Sequence, residues 1–193
     1  MYIYGRTGLI MVANIKIGIT GLPGAGKTYM LIRIIDMLCA EDPELRVGGM
    51  IDEPVMEGKH RVGFTVRDLL TGEKQEFAHE GFESKITLGR IGMDVSKFDP
   101  VAVQAIKSAA ETCDIIVIDE VGKLEVESEA FVAAVREALD ADKPMLLTLH
   151  KKSRNPLLQD IRRRDDVRIL EVTPTNRNIL PNKIVRLMNG ENI

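Results

Sequence analysis

Apolar residues along the chain fall into two patterns that follow one another in turn. Short, nearly continuous apolar runs at residues 15–20, 114–119, 144–149 and 167–172 predict strands buried within a sheet. Segments with apolar residues at helical spacing lie between these runs and predict helices that begin near residues 27, 128, 156 and 179. The alternation predicts an α/β fold with a mainly parallel sheet that carries helices on both faces.

The segment between residues 46 and 112 departs from this simple repeat. Residues 46–51 predict a strand, and residues 61–69 and 75–79 flank a turn-forming stretch, which together predict an inserted β-hairpin. A short strand is expected around residues 89–95. Asp99, followed by Pro100, predicts the N-cap of a helix that ends near Thr112. Insertions of this kind often flank the site in α/β enzymes.

Length and internal pattern predict how the chain is organised. The 193 residues are enough for one sizeable core, and neither an internal repeat nor a low-complexity linker divides them. Because the first convincing strand starts after residue 13, we expect an N-terminal extension at residues 1–13 and a single domain at residues 14–193.

Composition and charge exclude several classes of protein. A net charge of −3, an aromatic content of 4% and the absence of tryptophan argue against a nucleic-acid partner. The basic run Arg162-Arg163-Arg164 is followed at once by two aspartates, which favours a solvated helix end. No apolar run is long enough to cross a bilayer, and Cys39 and Cys113 are expected to be free thiols. These features predict a cytoplasmic protein.

One motif identifies a phosphate-binding loop between the first strand and the first helix. Residues 21–28 match G-x-x-x-x-G-K-[ST] at every fixed position. In such a loop the backbone N–H groups and the helix N-terminus hold phosphate oxygens. Lys27 is expected to reach the β- and γ-phosphates, and the Thr28 hydroxyl is expected to bind Mg²⁺. The nucleotide-binding residues predicted here are Gly21, Leu22, Pro23, Gly24, Ala25, Gly26, Lys27, Thr28 and Tyr29.

A second motif supplies the carboxylates that hydrolysis requires. The apolar run 114–118 ends in Asp119 and Glu120, and a carboxylate at the end of a buried parallel strand opens into the crevice where the phosphates lie. Asp119 is expected either to coordinate Mg²⁺ directly or to lie in the outer coordination shell of the ion. Glu120 is expected to orient the attacking water and accept its proton. The alternative, an acidic pair in a solvated turn, is disfavoured because the phosphate loop is present in the same chain.

These motifs, in this order and spacing, resemble a small nucleoside-triphosphatase family found in archaea and thermophilic bacteria. The resemblance rests on residues 21–28, on Arg61-Val62-Gly63-Phe64 and on the sequence DEVGKLE at 119–125, close to the family signature D-E-I-G-K-M-E. It implies a three-layer P-loop NTPase fold and hydrolysis of several nucleoside triphosphates with modest base selectivity. The chain departs from the family's G-F-Y-T-x-E segment, because residues 49–54 read GMIDEP.

Several side chains keep two interpretations each. Lys123 either neutralises charge on the γ-phosphate or pairs with Glu125 or another carboxylate. His150 either senses the γ-phosphate or simply ends its strand. Other candidates for the cation that neutralises charge on the γ-phosphate are Arg61, Arg162, Arg163 and Arg164.

The segment after the last strand and the choice of reaction also leave alternatives open. Arg177 is expected to contact the base loosely, and Asn176 or Asn178 can cap the last helix. We expect Mg²⁺-dependent hydrolysis of a nucleoside triphosphate. The alternatives are a nucleoside or nucleotide kinase, and an adaptor similar to the small P-loop proteins that assist molybdopterin-guanine-dinucleotide synthesis.

Overall fold

The computed structural model describes residues 14–191, so the predicted extension at residues 1–13 lies outside the described residues. The helices are α1 (Lys27–Glu41), α2 (Val95–Thr112), α3 (Glu129–Asp140), α4 (Pro156–Arg163) and α5 (Leu180–Met188). The strands are β1 (Lys16–Gly21), β2 (Val47–Glu57), β3 (His60–Asp68), β4 (Lys74–His79), β5 (Thr87–Leu88), β6 (Ile91–Met93), β7 (Ile115–Val121), β8 (Met145–His150) and β9 (Val167–Glu171).

All of these strands form one mixed sheet in the order β5-β6-β4-β3-β2-β7-β8-β1-β9. The pairs β2–β7, β7–β8, β8–β1 and β1–β9 are parallel, and the remaining pairs are antiparallel. The predicted α/β fold and the predicted hairpin at β3–β4 are therefore confirmed. The antiparallel part is larger than predicted, because β2 continues to Glu57 and returns as β3.

Helices cover both faces of the parallel part of the sheet, as the continuous apolar runs predict. Ile116 and Ile118 of β7 pack in the cluster formed with α2, α3 and α4, while Ile115 and Val117 face the cluster formed with α1 and α5. All four side chains are fully buried. The resulting three layers leave the C-terminal ends of β1, β7 and β8 on one edge, where the loops that carry polar residues emerge.

The predicted start of α2 at Asp99 and Pro100 is wrong. The helix begins at Val95, where the Asp94 carboxylate accepts a hydrogen bond from the backbone N–H of Ser96. Residues before Pro100 are helical because Phe98 is fully buried between Phe77 and α3. Pro100 costs the helix only one backbone hydrogen bond, which this burial offsets.

The last helix is not capped by Asn178. Its N-cap residue is Ile179, which makes no side-chain capping hydrogen bond. Asn176 instead braces the preceding loop, because its side chain accepts a hydrogen bond from the Thr173 N–H and donates one to the Glu171 carbonyl.

Two further sequence expectations concern the membrane and the cysteines. Within residues 14–191, no helix combines the length and apolar character needed to span a bilayer. Cys39 and Cys113 are free thiols, as predicted, with Cys113 buried and Cys39 partly exposed.

Candidate functional site

The loop between β1 and α1 has the backbone conformation that phosphate binding requires. Gly24 and Gly26 have φ values of 77° and 90°, in the left-handed region that other residues rarely adopt. A Cβ atom at either position would meet no neighbour within 4 Å, so these glycines are needed for backbone conformation and not for space. Helix α1 starts at Lys27 without a side-chain cap, which leaves its first N–H groups directed at the loop.

A cavity of about 500 Å³ joins this loop to the C-terminal end of β7. Of the residues predicted to bind nucleotide or metal or to act in catalysis, the structure brings ten to this cavity; Leu22, Ala25 and Arg177 do not line it. Arg177 is exposed after β9. The ten lining residues are Gly21, Pro23, Gly24, Gly26, Lys27, Thr28, Tyr29, Asp119, Glu120 and Lys123. A second, shallower cavity of about 660 Å³ beside residues 81–86 contains none of them.

The two motifs meet in an ion pair. The Lys27 ammonium lies 3.1 Å from a carboxylate oxygen of Glu120, with the side chains 11% and 28% exposed respectively. The lysine predicted to bind phosphate and the predicted general base therefore occupy neighbouring positions, although they are far apart in the sequence.

Asp119 is almost completely buried beside Thr28. The Thr148 hydroxyl of the adjacent strand β8 donates a hydrogen bond to its Oδ1 atom. Its Oδ2 atom is buried and, among the described residues, has no hydrogen-bond partner. Burial raises the pKa of Asp119 to about 6, although the nearby hydroxyls of Thr148 and Thr28 lower it. A buried oxygen without a partner, next to a hydroxyl, is suited to a cation.

Two further carboxyl groups, which sequence reasoning did not assign to the site, lie in the cavity wall. Asp52 lies at the C-terminal end of the parallel part of β2, one residue after Ile51, which pairs with Asp119. Glu125 follows β7 in a short 3₁₀ turn and is 5% exposed. Burial, followed by the charge of Glu125, raises the pKa of Asp52 well above its usual value. Burial and the charge of Glu120 raise the pKa of Glu125 to about 8.

A glycine is required at position 122 of the second motif because two carboxylate side chains approach its backbone closely. A Cβ atom on Gly122 would lie 2.3 Å from the Glu125 Oε2 atom and 2.7 Å from the Glu120 Oε1 atom. The glycine thus allows both carboxylates to converge on the same backbone position. Glu125 could have been suspected from sequence, since it lies within the second motif, whereas Asp52 joins the site through the pairing of β2 with β7.

Contacts and burial bear on the two interpretations given above for Lys123 and for His150. Lys123 is exposed at the cavity and Glu125 is buried; among the described residues no ion pair joins them. His150 also lines the cavity, and its Nδ1 atom is buried without a hydrogen-bond partner among those residues. Burial lowers the pKa of His150, which favours the neutral imidazole.

The basic run at the end of α4 has structural contacts. Arg162 donates hydrogen bonds to the backbone carbonyls of His150, Lys151 and Ser153. Arg164 pairs with Asp140 and Asp166. Neither guanidinium lines the cavity, whereas Arg61 of the hairpin does.

Comparisons with known proteins identify similar sequences over most of the chain. A family model described as NTPase matches residues 16–185. The chain is 39% identical over 177 residues to the nucleoside-triphosphatase THEP1 of Thermoplasma acidophilum, covering 92% of this chain and 97% of the relative. It is 40% identical over 169 residues to THEP1 of Thermofilum pendens, covering 87% and 92%.

Solved structures show the same fold. The crystal structure of THEP1 from the hyperthermophile Aquifex aeolicus superimposes with a TM-score of 0.81 at 31% identity, covering 90% of this chain and 99% of that one. The solution structure of a human cancer-related nucleoside triphosphatase gives a TM-score of 0.77 at 29% identity, covering 93% and 100%. The family resemblance seen in the motifs is confirmed. This chain belongs to the NTPase family that includes the THEP1 nucleoside-triphosphatases.

Proposed function

We propose that this nucleoside-triphosphatase hydrolyses nucleoside triphosphates of broad base identity to the diphosphate and phosphate, in a Mg²⁺-dependent reaction at the cavity between the phosphate loop and β7. The observation that carries the proposal is the Lys27–Glu120 contact of 3.1 Å. It puts a phosphate-binding cation and a candidate general base at the same point.

The phosphate loop and Lys27 bind and orient the substrate in this proposal. Backbone N–H groups of residues 21–28 donate hydrogen bonds to the phosphates, and Lys27 contacts the β- and γ-phosphates. When a triphosphate binds, its phosphate oxygens replace the Glu120 carboxylate as the partner of the Lys27 ammonium. Glu120 is then free to accept a hydrogen bond from a water molecule beside the γ-phosphate.

Glu120 acts as the general base for that water. As the water oxygen forms a bond with the γ-phosphorus, Glu120 accepts its proton, and the bond from the γ-phosphorus to the bridging oxygen breaks. Lys123, which is exposed at the cavity, faces the charge that develops during this step. The neutral His150 can donate or accept one hydrogen bond at the same edge.

Thr28 and Asp119 are suited to hold Mg²⁺. Both offer oxygen atoms, which Mg²⁺ prefers, and the Asp119 Oδ2 atom has no other partner among the described residues. Within those residues, no three His, Cys, Asp or Glu side chains converge on a metal site, so a cation here would take its other ligands from phosphate and water. When bound, Mg²⁺ would neutralise phosphate charge and favour departure of the diphosphate.

Relaxed base selectivity fits the exposed position of the candidate base contacts. Tyr29 is 72% exposed at the rim of the cavity, and Arg177 is exposed on the loop after β9. The Tyr29 ring and the Arg177 guanidinium can stack on any base without making hydrogen bonds to the groups that distinguish one base from another. We therefore assign loose base contacts to these two residues.

Phosphate release measured with ATP, GTP, CTP and UTP tests this function. We expect release with all four nucleotides, without any acceptor, that is lost in EDTA and restored by Mg²⁺. Release that requires an added nucleoside or nucleoside monophosphate would favour the kinase alternative, and release slower than nucleotide exchange would favour the adaptor. Unchanged release in EDTA would contradict the assignment of Thr28 and Asp119.

A further inference from the structure

The hairpin formed by β2 and β3 supplies the wall of the cavity that faces the phosphate loop. Pro54, Arg61 and Phe64 from this hairpin, together with Leu88, line the same cavity as Lys27 and Glu120. Among the described strands, the outer half of β2, from Asp52 to Glu57, pairs only with β3, so the hairpin extends past the end of the parallel sheet. Its residues are thereby placed beside the reacting groups.

Strand order and the proposed base contact of Arg177 together indicate which end of a bound nucleotide the hairpin faces. Neighbouring strands run β9, β1, β8, β7, β2. At or after their C-terminal ends lie in turn Arg177, the phosphate loop, His150, the pair Asp119 and Glu120, and the hairpin. A nucleotide held by the loop with its base toward β9 directs its γ-phosphate toward β7. The hairpin then lies beyond the γ-phosphate, on the side from which water attacks.

Arg61 is held in position by an aromatic contact. Its guanidinium carbon lies 4.8 Å from the centre of the Phe64 ring, and the Phe64 ring stacks in turn on the fully buried Phe77 at 6.3 Å. A guanidinium stacked on a ring keeps its N–H donors available at its edges. The side chain is therefore oriented without using up its hydrogen-bonding capacity.

Arg61 differs from Arg67 of the same strand and from Lys74 of β4 in lacking a carboxylate partner. Arg67 and Lys74 both pair with Glu53, at 2.7 and 2.6 Å. Among residues 14–191, no carboxylate lies within 4 Å of the Arg61 guanidinium. A cation without a partner in the wall of a substrate cavity is available for an anion.

The charge of a bound triphosphate explains why such a cation is needed. Its wall carries four carboxyl groups, and Lys27 is paired with one of them, Glu120. A triphosphate adds further negative charge to this cavity, and the other cations of the wall are Lys123 and Arg61. The four carboxyl groups belong to Asp52, Asp119, Glu120 and Glu125.

We propose that Arg61 contacts the γ-phosphate from the hairpin side and stabilises the negative charge that develops there during hydrolysis. This inference rests on the proposed function. Arg162 and Arg164, the other candidates that sequence offered, are engaged in structural contacts, and Arg163 does not line the cavity. The guanidinium can contact two phosphate oxygens at once, which gives the hairpin a direct part in the reaction.

The variants Arg61→Ala and Arg61→Lys test the proposal, with Lys74→Ala on the neighbouring strand β4 as the control for loss of a nearby cation. We expect Arg61→Ala to lower kcat by about 10²-fold or more, the scale for loss of one transition-state donor. Its affinity for a nucleoside diphosphate should stay unchanged, since the diphosphate has no γ-phosphate. Arg61→Lys should recover only part of kcat because an ammonium cannot make the two-point contact. Lys74→Ala should retain wild-type kcat.

The outcomes separate this inference from the function on which it rests. Wild-type kcat in Arg61→Ala, with Glu120→Gln inactive, would overturn the role of Arg61 and leave the hydrolase site intact. Weaker diphosphate binding with a lower melting temperature in Arg61→Ala would also overturn it, because it would show a structural role. Absence of phosphate release from the wild-type protein would overturn both proposals.

Discussion

Replacing Glu125 with glutamine should make the stability of the protein less dependent on pH. Glu125 is buried at the cavity and faces Asp52 of β2 and Asp119 and Glu120 of β7. Burial first, and the charge of Glu120 second, raise its pKa from 4.5 to about 8. Glutamine has nearly the same shape as the protonated acid but cannot ionise, so the substitution removes the titration and preserves the packing.

The sign and size of the effect follow from that pKa. Between pH 4.5 and 8 the folded state holds a proton on Glu125 that the unfolded state has released, so the free energy of unfolding falls as pH rises. Each pKa unit corresponds to about 1.36 kcal/mol. The full shift therefore amounts to on the order of 5 kcal/mol of stability, present below pH 4.5 and lost by the time the pH has passed 8.

Urea unfolding followed by circular dichroism between pH 5 and 8.5, in EDTA, measures this dependence. We expect Glu125→Gln to flatten the decline and to be more stable than the wild type at pH 8.5. Asp52 keeps its own raised pKa, so some dependence should remain. Glu127→Gln, an exposed change in the same turn, is the control. Equal slopes in wild type and Glu125→Gln, or a less stable variant at pH 8.5, would refute the reasoning.

Two other substitutions test binding and folding separately. Lys27→Ala should weaken triphosphate binding measured by calorimetry, because the ammonium contacts phosphate in the ground state as well as during reaction; unchanged affinity would contradict that contact. Asp94→Ala should lower the free energy of unfolding by about 1 kcal/mol, since the first turn of α2 loses its cap. Its kcat should be unchanged, and wild-type stability would show that the cap is dispensable.

Local patterns were sufficient to predict the elements that carry the two motifs. The strand before the phosphate loop, helix α1 and β7 lie close to their predicted positions because their apolar periodicity and the loop's glycines are local signals. The start of α2 was misassigned for the opposite reason. Both Asp94 and Asp99 can cap a helix, and the choice depends on burial of Phe98 between distant residues.

Features that depend on register between strands could not be predicted from sequence. The outer half of β2 carries three acidic residues and a proline, and it becomes a strand only by pairing with β3. Asp52 joins the site because Ile51 pairs with Asp119 across β2 and β7, a register that no local pattern encodes. Local pattern also does not distinguish Arg162 from Arg61. Arg162 donates hydrogen bonds to backbone carbonyl groups and lies outside the cavity, whereas Arg61 lines it.

The central claim is that Glu120 activates the attacking water at a site where Lys27 binds the phosphates. The most direct test is single-turnover hydrolysis by Glu120→Gln, together with nucleotide affinity of the same variant. We predict that the affinity is retained while the hydrolysis rate falls by about 10²-fold or more, the usual effect of removing a positioned base. Hydrolysis by this variant at the wild-type rate would contradict the account.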